Sequence, residues 1–135
     1  MKYITGIHAL NLGCPLDTCG DWHRSALRWV DITYGDSEES LFGDYGIEYC
    51  DNIPDHPGIH PVANHIRALL DLIADGRFSV AQGMNKDFIC NSDYDVEIFA
   101  KVCMMSNLQH WAAITEFMRR EYRCKWLDYT QRVGL

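Results

Sequence analysis

The chain has 135 residues, with 12 Lys+Arg against 19 Asp+Glu for a formal net charge of −7 at pH 7, and 47% of its residues are hydrophobic. That apolar share excludes wholesale disorder and collagen-like or low-complexity sequence, and the length is that of one domain, residues 1–135, able to bury a core without staples. The acidic balance argues against a duplex-DNA binder, whose affinity comes largely from Lys and Arg on phosphates.

The charge is unevenly placed. Residues 1–60 hold three basic side chains, Lys2, Arg24 and Arg28, and ten acidic ones, whereas residues 61–135 hold nine of each sign. The whole net charge therefore falls on the first half, which marks a solubilising face or a surface for a basic partner. The first 14 residues carry one lysine and an apolar stretch interrupted by His8 and Asn11. This is a poor match to a secretory signal, and no stretch approaches the roughly 18 apolar residues of a membrane span. A cytoplasmic location is expected, with the six cysteines as free thiols or metal ligands. Cys90 and Cys103 read as small core residues.

In chain order, residues 2–10 (KYITGIHAL) read as a first strand, and residues 14–25 as a turn-rich segment with the densest polar chemistry in the chain. Residues 26–34 read as a second strand, with Val30, Ile32 and Tyr34 on one face. Residues 41–49 read as a third, with Leu41, Tyr45, Ile47 and Tyr49 on one face and Asp44 and Glu48 on the other. Joined by the polar loop 35–40, these two strands predict an antiparallel hairpin with an acidic wet face. Residues 51–61 contain three of the four prolines and read as a stiff connector.

Beyond the connector the apolar period changes from two to 3.6. Val62, Ile66, Leu69, Leu70 and Ile73 predict a helix with Pro61 near its start and Gly76 beyond its end. Residues 77–91 read as an irregular connection or a short helix. Ser92 or Asp93 is placed to cap a helix carrying Val96, Phe99, Val102 and Cys103, and Leu108, Trp111, Thr115, Met118 and Tyr122 form a last stripe that extends towards Trp126 and Tyr129. The expected fold is α+β, a small antiparallel sheet from the N-terminal half packed with three to four helices from the C-terminal half.

Potential ligands crowd together in one place. Cys14, Cys19 and His23 form C-x4-C-x3-H, which suits half of a zinc site, with His8, Cys50 or a connector histidine as fourth ligand. The same residues admit thiol catalysis, with Cys19 as nucleophile, His23 as base and Asp21 (or Asp17) orienting the imidazole. The alternative is a packed turn with Cys14 and Cys19 buried and Trp22 anchoring the loop. His56, His60 and His65 are spaced H-x3-H-x4-H, but Pro57 and Pro61 prevent a helix from aligning them, so they read as loop histidines. Arg119, Arg120, Arg123, Lys125 and Arg132, interleaved with Tyr122 and Trp126, fit either single-stranded nucleic acid or an exposed helix face.

Residues 6–12 (GIHALNL) and 16–23 (LDTCGDWH) resemble strings of small uncharacterised acidic bacterial proteins of mobile elements, encoded beside toxin genes. The resemblance covers the first quarter of the chain and the helix predicted over 61–72, and it brings no catalytic residues. It implies an antitoxin, immunity or inhibitor protein. The leading expectation is a non-enzymatic protein without cofactor, binding a basic protein partner through Glu38, Glu39, Asp44 and Glu48, with Tyr45 and Trp22 among the aromatic anchors. The alternative is a small zinc protein or thiol enzyme organised on Cys14, Cys19 and His23.

Overall fold

A computed structural model describes residues 1–135. Its four strands are short: β1 (Lys2–Ile4), β2 (Tyr34–Asp36), β3 (Ile47–Cys50) and β4 (His60–Ala63), in the order β2-β1-β4-β3. β1 is antiparallel to β2, with Tyr3 opposite Gly35, and parallel to β4, with Ile4 opposite Val62. β3 and β4 are antiparallel, with Glu48 opposite Val62. A parallel pair needs a long crossover, and residues 5–59 supply it. Gly35 is required where it lies, because a Cβ there would sit 2.8 Å from the Tyr3 ring.

The chain is α+β, as expected, but the sheet is mixed rather than antiparallel and contains no acidic hairpin. The strand expected over 2–10 stops at Ile4. Gly6, at φ 62°, turns the backbone into helix α1 (Gly6–Leu10), which buries His8, Ala9 and Leu10. In place of a strand over 26–34 there is a short 3₁₀ turn at Arg24–Ala26 and irregular backbone, with Val30 72% exposed. Turns occupy most of 41–46, where Gly43 and Gly46 have φ of 54° and 72°. β2 and β3 end up on opposite edges of the sheet, because alternation specifies a face and leaves the partner open.

The predicted helix over 61–73 divides in two. Pro61 and Val62 belong to β4, and Asn64 caps helix α2 (His65–Ala74) by accepting a hydrogen bond from Arg67 N–H at 2.9 Å. α2 is the central helix, with buried residues on every face, His65 and Arg67 among them. A helix enclosed this way must satisfy each polar side chain inside the protein.

The C-terminal half contains more helices than expected. One-turn α3 (Phe78–Ala81) is followed by a π-helical segment (Met84–Ile89), then α4 (Asp95–Cys103), α5 (Trp111–Tyr122) and α6 (Cys124–Arg132). α5 and α6 are separate because Arg123 adopts φ 55°. The cap before α4 falls at Asn91, on a 3₁₀ turn, and Val96 faces solvent while Ile98, Phe99 and Val102 are buried. Cys90 is exposed rather than in the core, turned outward at φ 54° just after buried Ile89. Phe99 packs edge-on against Tyr122 and Trp126, with ring centroids 4.9 and 5.4 Å away. One contiguous core joins residues of both halves, from Tyr3 and Phe42 to Leu69 and Trp126. No helix is long and apolar enough to cross a membrane.

Candidate functional site: an acidic cleft and a thiol–hydroxyl–imidazole chain

One flank of α2 holds a buried guanidinium. Arg67 is fully enclosed, and all of its hydrogen-bonding nitrogens are used. Nε donates to Asp71 Oδ1 at 2.9 Å, Nη1 to the carbonyls of Gly43 and Tyr45 at 2.8 and 2.5 Å, and Nη2 to Tyr3 Oη and Ser40 Oγ, both at 2.8 Å. Tyr3 Oη and Thr5 Oγ1 each donate to Asp71 Oδ2 at 2.6 Å. Burial and the Asp71 carboxylate push the Tyr3 phenol well above its ordinary pKa, so it remains a donor. Arg67 thereby ties α2 to β1 and to the 40–45 turns. The sequence signal for this network is an Arg–Asp pair at i,i+4 inside an otherwise apolar helix.

Above this network lies an open cleft of about 940 Å³ between β1, β2, the 37–42 segment and the end of α2. Five carboxylates line it, Asp36, Glu38, Glu39, Asp71 and Asp75, with Lys2 as the one basic side chain, and the N-terminal ammonium lies 3.2 Å from Asp36 Oδ1 and 3.9 Å from Glu38 Oε1. Asp71 is committed to Arg67, and Lys2 stacks over the Tyr34 ring at 4.2 Å. Asp36 is held below the usual carboxylate range, chiefly by accepting the Glu38 backbone N–H. Burial, and then the charge of Asp71, push Asp75 up. Leu41 and Tyr34 expose apolar surface beside these charges, at 49% and 44%.

Of the acidic residues expected to act together, Glu38 and Glu39 lie on this cleft, on the short 3₁₀ turn Ser37–Glu39. Asp44 and Glu48 do not, because Glu48 is on β3, at the opposite sheet edge, and Asp44 is in the turn before it. Tyr45 is engaged within the fold: its hydroxyl donates to Glu97, and Lys101 Nζ lies 4.1 Å from its ring centre. Trp22 does not anchor its loop to the core but is 84% exposed.

Cys14, Cys19 and His23 fall into three separate contacts. Cys19 is exposed, and its thiol neighbours that of Cys90. His23 Nδ1 bonds to Asp21 Oδ1, and Asn11 braces the pair, accepting from His23 N–H at 2.8 Å. The structure groups no three His, Cys, Asp or Glu side chains in a way that could hold a metal ion. The thiol that meets an imidazole is Cys14, and the imidazole is His65, on the flank of α2 away from Arg67. His65 Nε2 donates to the Leu12 carbonyl at 2.7 Å, its Nδ1 is 2.6 Å from Thr18 Oγ1, and that hydroxyl is 3.8 Å from Cys14 Sγ. His56 and His60 bond instead to the carbonyls of Trp29 and Pro57. From spacing alone His65 reads as a loop histidine, whereas it opens α2 and its partners are remote in sequence.

The basic C-terminal stretch is largely paired within the fold. Arg119 and Arg120 both bond to Glu116, Lys125 lies 3.4 Å from Asp95, and Trp126 is buried with its Nε1 donating to Thr115. Arg119 holds Glu116 down at about 2. The aromatic surface that stacking on nucleic-acid bases requires is thus partly spent on the core.

Compared with known proteins, the chain matches no family model, no curated protein and no solved structure. The fold and the cleft define the class, an α+β protein with a mixed four-stranded sheet and an acidic cleft at one edge of it.

Proposed function

We propose that the chain is a non-enzymatic, antitoxin- or immunity-like binding protein that sequesters a basic protein partner in the Glu38–Glu39 cleft. The observation that carries this reading is the composition of the cleft, five carboxylates and one lysine around 940 Å³. Such a field steers a cationic segment towards the cleft, and Tyr34 and Leu41 offer apolar surface to arginine or lysine stems. The cleft is open, so an incoming guanidinium keeps part of its hydration and is spared the full cost of charge burial.

The test compares two charge reversals of equal size. A labelled Arg/Lys-rich peptide is titrated with the wild-type chain, with E38K/E39K and with D44K/E48K, following anisotropy at low and physiological salt. Binding through the cleft predicts that E38K/E39K loses about tenfold or more in affinity, chiefly through the on-rate, while D44K/E48K loses only about twofold from the shared change in net charge. Equal losses in the two variants, or no binding by the wild type at low salt, would overturn the proposal.

A further inference from the structure

We infer that Cys14, Thr18 and His65 form a reactive-thiol site for small hydroperoxides, with Cys14 as the nucleophile and His65 as the proton store. The inference rests on how the three side chains are held. The Leu12 carbonyl can only accept, so Nε2 of His65 carries a hydrogen whether the ring is neutral or charged. Nδ1 is then the basic nitrogen, and it faces the Thr18 hydroxyl at 2.6 Å. With the thiol protonated, Cys14 S–H donates to Thr18 Oγ1 and the hydroxyl donates to Nδ1. With the proton moved, Nδ1–H donates to Thr18 and the hydroxyl donates to the thiolate. The transfer needs no change of side-chain position.

The loop is pressed onto the ring. Gly20, at φ 69°, leaves no room for a Cβ, which would lie 2.7 Å from His65 Cε1 and 2.9 Å from the Leu10 carbonyl. The same loop is tied down from outside: Gly20 N–H donates to the Phe88 carbonyl at 2.9 Å, Asp17 N–H to Tyr94 Oη at 3.1 Å, and Asn91 Nδ2 to the Asp17 carbonyl at 3.0 Å. Asp17, Cys19, Asp21 and His23 on the loop, with Cys90 and Tyr94 on the segment bonded to it, are the titratable groups of these elements. Burial on its own would push the Cys14 thiol up, but hydrogen bonding to His65 and the imidazole's charge bring it down to about 7. His65 is raised in turn, because the thiol and the Leu12 carbonyl outweigh its own burial.

A hydroperoxide asks for little else. The Cys14 thiolate attacks the distal oxygen, the S–O bond forms as the O–O bond breaks, and sulfur is oxidised to sulfenic acid while the peroxide is reduced to an alcohol or water. The leaving oxygen takes its proton from the His65 imidazolium, by way of Thr18.

Access and activation predict opposite outcomes, which makes the site testable: Cys14 is half-buried, whereas Cys19, Cys90 and Cys124 are exposed. The reduced full-length chain is treated with hydrogen peroxide in the presence of dimedone across pH 5.5–9, and adducts are assigned by peptide mapping. At pH 7 the adduct on Cys14 should form at least about fivefold faster than on any exposed cysteine. Its rate should rise through pH about 7. A peroxide-dependent disulfide that includes Cys14 counts as the same capture. T18V and H65Q, checked for folding by circular dichroism, should each move the midpoint towards about 8.5, the ordinary thiol value. Labelling that follows exposure, or a Cys14 midpoint unmoved in both T18V and H65Q, would overturn the inference.

Discussion

The two flanks of α2 solve the same problem in different ways. Each carries a buried cationic or basic side chain bonded to segments from the N-terminal half of the chain. On one flank Arg67 is permanently charged, its nitrogens are saturated by five acceptors, and its counter-charge, Asp71, is fixed by two further donors. On the other flank His65 has two polar nitrogens, a carbonyl, a hydroxyl and a thiol that titrates near neutrality. A saturated network of this kind acts as a strut. A thiol, a hydroxyl and an imidazole in one chain of contacts form a network that can move a proton.

The largest effect should come from breaking the strut. Arg67→Met leaves Asp71 Oδ1, Tyr3 Oη, Ser40 Oγ and two carbonyls without the guanidinium donor and should cost about 3–5 kcal/mol in denaturant unfolding. The double variant R67M/D71L removes both charges and should recover part of that loss. A double variant no better than the single would show that the backbone contacts at Gly43 and Tyr45 outweigh the ion pair.

The His65 flank should be softer. Gly20→Ala combines a left-handed φ with a Cβ driven against the imidazole, and a cost of about 1–3 kcal/mol is expected by the same measurement. It should also displace the loop from His65 and carry the Cys14 reactivity profile upward in pH. A G20A variant that loses stability but keeps the profile would separate packing of the loop from proton sharing.

The smallest effect should be at Trp22, which belongs to the same polar loop but lies outside both flanks. Because its side chain is 84% exposed, Trp22→Ala should change stability by no more than about 0.5 kcal/mol in either direction. A larger loss would mean that the loop is held by more than the His65 contact and the bonds to residues 88–94.

How far the site was legible in the sequence depends on the distance between its parts. Glu38 and Glu39 were legible as exposed acidic residues because a polar loop between apolar segments is a local pattern. Their separation from Asp44 and Glu48 was not legible, because Gly43 and Gly46 turned an alternating stretch into successive turns and sent the following strand to the far edge of the sheet. Cys14 stands out in the sequence for its neighbours at i+5 and i+9, yet those side chains point to other partners. The histidine that meets it enters from the first turn of α2.

The sequence by itself determined the α+β class, the segments that form α4 and α5, the caesura near Arg123 excepted, and the division of charge between the halves. These follow from contacts three or four residues apart, from capping groups and from composition, all of which are local. Only the tertiary structure decided that β1 lies between β2 and β4, that a guanidinium could be buried beside Asp71, that Glu38 and Glu39 would face a cleft, and that Thr18 would stand between Cys14 and His65. Strand pairing and the satisfaction of buried polar groups join residues remote in the chain, and their energies depend on which acceptors the completed core brings within hydrogen-bonding distance.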